Sequence, residues 1–297
     1  MTKPLAALAL AAASILALAG CSATTGSGTD SGGKIDVVAT TNVYGSIATE
    51  IGGDRVQVTS IIDSLSKDPH EYEATARDRL AVRGATLVIE NGGGYDPFMK
   101  DLLDGSKATV VTAADAHPGH DQEGFNEHVW FDPTTMITVV GQVESALTKA
   151  DPAGKEQFAK GAAALTADLT RAEGELAVIK AKAPGAGVFI TEPVPGYLAD
   201  AAGLVDKAPE GFASAVEEGH DVAPATLLAA VNVIKSGEVK AVLANSQAGG
   251  SETQRIEQEA KAAGIPVVTF TEILPKGTAY AEWMHAAIAS LAAAVGA

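Results

Sequence analysis

The chain has 297 residues, 46% hydrophobic, 20% charged and 5% aromatic, which suits one large domain or two lobes with a sizeable core. Its formal net charge of −16 would repel a phosphate backbone, so nucleic acid is not expected as a partner. The same surplus is compatible with attracting cations.

At the N-terminus, Lys3 precedes the apolar run "PLAALALAAASILALAG". That run is short for a membrane span and has the character of a secretory h-region. It ends in "LAGC", Leu18 to Cys21, which resembles the lipobox of bacterial lipoproteins. Cys21 is the only cysteine, so it forms no intrachain disulfide. The alternative is ordinary signal-peptidase cleavage with Cys21 a bystander. On the lipobox reading, residues 1–20 are a signal peptide and Cys21 is lipidated. Two or more acyl chains then hold the protein on the outer side of the cytoplasmic membrane. Residues 21–33, with "SATTGSGTDSGG", form a flexible tether.

From Lys34 onward, short apolar runs alternate with amphipathic stretches. "IDVVAT", "VQVTSII", "TLVIE" and "TVVTA" read as strands in the first half, and "GVFIT", "VKAVLAN" and "IPVVTF" in the second. Helical stretches such as "NVYGSIATEIGG" and "ETQRIEQEAKAAG" separate them. This alternation predicts βαβ units on parallel sheets. Thr75–Asp78 and Ser251–Gln254 each have capping-box spacing at a helix start. Between the halves, Phe158, Ala162, Leu165, Leu169, Leu176 and Ile179 keep helical spacing up to Pro184–Gly185. The expected fold is α/β, two lobes of parallel sheet flanked by helices and joined by one long linker helix. The lobes are residues 34–150 and 185–297, with the linker at 151–184.

Polar residues interrupt this pattern at four informative places. His70 lies in the loop "KDPHEYEAT" after "VQVTSII", and Glu192 and Glu272 each follow a strand. His128 lies in "NEHVWFDP", ahead of the helix starting near Asp132. Ligands of open α/β sheets bind beyond the carboxyl ends of strands. Two imidazoles and two carboxylates there make a plausible four-ligand divalent site, although no spacing rule connects them.

From Lys34 to its end the chain resembles the zinc/manganese-binding family of ABC-transporter substrate-binding lipoproteins. The resemblance rests on "VVATTNVYGSIATEIGGDRVQVTSII", "DPHEYEAT", "ATLVIENGGGYDPFM", "NEHVWFDP" and "LANSQAGGSETQRIEQEAKAAGIPVV". It implies that His70 and His128 are the first two metal ligands. It places the third on Glu192, five residues before Tyr197. The family's fourth ligand is usually an aspartate after a late strand, and here "TFTEIL" offers Glu272. His117 and His120 form a short, exposed acidic-histidine loop where relatives carry longer histidine-rich ones. His220 and His285 read as surface residues, and Trp130, Phe131 and Trp283 as core or lobe-interface packing.

The resemblance implies a monomeric lipoprotein that captures one ion, zinc or manganese, between its lobes. It would deliver that ion to a membrane ABC permease. Carboxylates suit manganese, whereas intrinsic affinity favours zinc. Because imidazoles ligate in their neutral form, affinity is expected to fall as pH drops through the histidine range. Two other readings fit a helix-linked two-lobed chain. A siderophore or corrinoid binder would line its cleft with aromatic or arginine residues. A metal-dependent hydrolase would keep an open metal position. A surface adhesin has no direct support in the sequence.

Overall fold

Residues 33–297 are described by a computed structural model; the readings of residues 1–20 as a signal peptide, of Cys21 as lipidated and of nearly all of 21–33 as a tether fall outside the described residues. In the first half, the strands are β1 (Ile35–Thr41), β2 (Val56–Ile62), β3 (Leu87–Glu90) and β4 (Thr109–Thr112). The helices among them are α1 (Asn42–Gly52), α2 (Ala76–Gly84), α3 (Met99–Leu103) and α4 (Pro133–Ala150). Helix α5 (Lys155–Lys182) leads to β5 (Gly187–Ile190), α6 (Gly196–Ala201), β6 (Val205–Asp206), α7 (Phe212–Glu217) and α8 (Pro224–Lys235). The chain closes with β7 (Val239–Asn245), α9 (Ser251–Ala262), β8 (Val267–Phe270) and α10 (Tyr280–Val295).

All strand pairings are parallel. The two sheets share one order, β2-β1-β3-β4 and β6-β5-β7-β8. The central β1 and β5 are apolar on both faces and almost wholly buried, as helix-covered parallel strands are. In each sheet the winding reverses beside that strand, so a crevice opens beyond the carboxyl ends of β1/β3 and of β5/β7. Strand β6, two exposed residues long, is absent from the sequence reading because two residues carry no periodicity.

Helix α5 buries Phe158, Ala162, Leu165, Leu169, Ala172, Leu176 and Ile179, alternating steps of four and three residues. Those side chains share one core cluster with Val37 and Ile89 of the first sheet and Val188 and Leu243 of the second. Gly161 lets α5 pass against α1, since a Cβ there would lie 2.7 Å from the Glu50 carbonyl oxygen. Helix α10 crosses back toward the first half, where the Tyr280 amide donates to Ser46 Oγ at 3.0 Å. Its hydroxyl donates to the Trp130 carbonyl at 2.6 Å. Trp130, Phe131 and Trp283 are core, with the Phe131 and Trp283 rings 4.6 Å apart.

Thr75 and Asp78 form the expected capping box at the start of α2. At α9 the expected pair does not form. Ser251 is already the first helical residue, and the Gly250 amide donates to Thr253 Oγ1 at 3.0 Å. The His117/His120 loop is also less exposed than its polarity suggested. The His117 ring is half-buried between Phe125 and Tyr197 at 5.5 and 5.0 Å, and Nδ1 accepts from the Gly119 amide at 3.0 Å.

Candidate metal centre

Each element end delivers one group to the crevice. The loop after β2 turns at Asp68, whose carboxylate accepts from the His70 amide at 2.9 Å. The His70 ring meets Tyr95 edge-on at 5.1 Å and lies 6.3 Å from the His128 ring. His128 is held by the buried 3₁₀ turn Val129–Phe131, which runs into α4, and its ring packs 5.1 Å from Trp130. Its Nδ1–H donates to Asn126 Oδ1 at 2.7 Å, so Nε2 carries the free lone pair. Asn126 is itself fixed from the second half: its Nδ2 donates to the Pro193 carbonyl at 3.0 Å, and Tyr197 Oη donates to its carbonyl at 2.6 Å.

Glu192 and Glu272 lie two residues past β5 and β8 and are 3% and 5% exposed. Asn245, the last residue of β7, holds both: its Nδ2 donates to Glu192 Oε2 at 2.6 Å and to Glu272 Oε1 at 2.7 Å. Gln247 Oε1 accepts from the Glu272 and Ile273 amides at 2.7 and 3.0 Å, fixing that turn. Asn42 secures it from the other half through the Leu274 backbone, donating at 2.8 Å and accepting at 2.9 Å.

His70, His128 and Glu272 each offer a ligand atom within 4.8 Å of the others. Glu192 is outside that triad and is linked to it through Asn245. A second group that meets the same 4.8 Å limit joins His70 to Glu127 and Glu217. Neither glutamate was singled out from sequence. Glu127 stands beside the histidine that drew attention, and Glu217 ends the short helix α7, where a carboxylate reads as solvated.

The charge balance of these groups is that of a cation site. Burial, reinforced by His70, pushes the His128 imidazole down to about 3, so its ring is neutral. Burial, then the neighbouring carboxylates, raises Glu272 to about 7 and Glu217 to about 8. Burial also raises Glu192 and Glu127. One oxygen of each of Glu192, Glu217 and Glu272 is buried without a hydrogen-bond partner. Buried polar atoms are nearly always paired, so three orphaned oxygens around two imidazoles fit a divalent ion. The expectation that histidine protonation sets the pH response is corrected for His128, which stays neutral far below the ordinary range.

Asn245→Leu removes the amide that orients both carboxylates. Metal affinity is expected to drop about 10–100-fold, as for other groups that position ligands. Calorimetry giving wild-type affinity for this variant would show that the amide has no part in ligand placement.

This arrangement is an α/β fold of two parallel sheets with histidine and carboxylate side chains from both halves brought together at one crevice. Residues 37–294 match the family model of the zinc-uptake complex component A, periplasmic, and the chain belongs to that family. It is 33% identical over 160 residues to the manganese-binding lipoprotein MntA of Bacillus subtilis, covering 50% of this chain and 52% of that one. With MntA of Halalkalibacterium halodurans it shares 28% over 162 residues, 53% of this chain and 54% of the relative. The chain thus spans about half the length of these relatives. The periplasmic zinc-binding protein TroA of Treponema pallidum superposes with a TM-score of 0.75 at 20% identity, covering 89% of this chain and 99% of that one. This likeness establishes the fold.

Proposed function

We propose that this protein is the extracytoplasmic, metal-capturing component of an ABC uptake system, with a single zinc or manganese ion as its cargo. The carrying observation is the convergence of His70, His128 and Glu272, contributed by both halves, within 4.8 Å. Glu192 completes the set from its place beside Asn245, giving two nitrogen and two carboxylate donors. Residues 34–150 and 185–297 act as the two lobes and 151–184 as their connection. A lipidated Cys21 holds the monomer at the membrane, and a permease receives the ion. The relatives named for manganese and the family named for zinc support this cargo class. Four protein donors fill a tetrahedral shell and leave no position for a reactive water, which favours capture over hydrolysis.

The test is calorimetric titration of the stripped soluble form, beginning near Lys34, with zinc and with manganese. One tightly bound ion per chain is expected, lost in His70→Ala, and competition between the metals identifies the cargo. A wild type that takes up neither metal would sink the proposal.

A further inference from the structure

We infer that His70, Glu127 and Glu217 form an outer station that receives the ion first and passes it to the inner set through their shared His70. This rests on the metal-capture reading and adds an entry route to it. The ligand atoms of the three residues lie within 4.8 Å of one another, the same compactness as the inner triad. All three line the open cleft between the lobes, whereas His128, Glu192 and Glu272 are nine-tenths or more buried and do not. The outer set therefore lies between solvent and the inner set.

Two contacts connect the stations. His70 belongs to both groups. Glu217 Oε1, buried and without a hydrogen-bond partner, lies 3.8 Å from Nε2 of His128, a ring only 1% exposed. An ion held by Glu217 is thus already beside the lone pair of an inner ligand. Moving inward exchanges Glu127 and Glu217 for His128 and Glu272, with His70 retained, so the ion is never without a protein donor. The same cleft is lined by Asp68, Glu71, Glu218, Asp221 and Glu252 and by neither lysine nor arginine, a wall that concentrates cations.

A station on the entry route lowers the barrier in both directions. Stopped-flow mixing of stripped protein with manganese, read by quenching of Trp130 beside His128, should show slower association in Glu217→Gln and in Glu127→Gln/Glu217→Gln. Association should fall about tenfold, within the range that local charge placement commands. Dissociation should slow in parallel and leave Kd within about threefold of wild type, unlike ordinary binding mutants, which act mainly through dissociation. The association deficit should persist in high salt, where a long-range field is screened. Wild-type association rates, a deficit erased by salt, or a weaker Kd from faster dissociation would each overturn the station. Where the wild type takes up zinc rather than manganese the same mixing is run with zinc, and a wild type that takes up neither would instead remove the metal-capture reading beneath it. Thermal melting of the glutamine variants, nearly isosteric with glutamate, checks that they fold.

Discussion

Stripped of metal, the protein is expected to melt at a lower temperature at about pH 8.5 than at about pH 6.5, with saturating zinc or manganese reversing the trend. Glu272 and Glu217 titrate at about 7 and about 8 in the fold, against an ordinary value of 4.5. The folded state therefore holds more protons than the unfolded chain across that interval. Stability tied to these groups is full below the ordinary value and is lost as pH rises through about 7 and about 8. His128 acts oppositely: with its pKa lowered to about 3, its contribution is present above the ordinary 6.5 and is lost as pH falls. Measuring above pH 6.5 isolates the carboxylates. The expected loss is on the order of 1–3 kcal/mol, which lowers the melting temperature by several degrees at roughly 2–4 °C per kcal/mol. A bound divalent ion requires Glu272 ionised, favours the charged form of Glu217 nearby and stabilises by about 2.7 kcal/mol at a hundredfold excess over Kd. Its benefit grows with pH. A flat or rising melting temperature for the stripped protein over this window would contradict the site's electrostatics.

The second large effect separates the two strand-end carboxylates. Glu272→Gln is expected to weaken metal binding at least about 100-fold and Glu192→Gln about tenfold, the first exceeding and the second matching the usual cost of perturbing a ligand's support. Glu272 lies within 4.8 Å of both imidazoles, whereas Glu192 reaches the group only through Asn245. Glu192 Oε1 is nonetheless buried and unpaired, which leaves it an oxygen to offer a cation. Calorimetry on both variants gives the order, and a larger loss for Glu192→Gln would reassign the ligand contributed by the second lobe.

Local periodicity made the α/β alternation legible. Seven of the strands lie on short, apolar-rich runs bounded by polar turns, and α5 follows a regular step of four and three. Strand order was not legible, because crossover direction is decided by packing between distant segments. The candidate site divides along the same line. His70 and His128 stood out through the motifs around them, while Glu217 and Asn245 are ordinary residues at the ends of ordinary elements. Asn245 matters because β7 lies between β5 and β8, which places its amide between two carboxylates. Glu217 matters because α7 carries its oxygen to 3.8 Å from His128. Both facts belong to tertiary structure, and neither has a signature in the chain.

The shared core along α5 has a consequence for how the molecule comes apart. Leu165, Leu169 and Leu176 belong to the same cluster as Val37 and Val188, so the two sheets share one interior along α5, while the second sheet keeps a smaller cluster of its own around Phe189 and Val242. Contiguous buried contacts of this kind couple the melting of the regions that share them. Loss of either half exposes apolar surface on the other. The two halves are thermodynamic partners, and a truncation meant to isolate one would leave a sticky flank where α5 had lain.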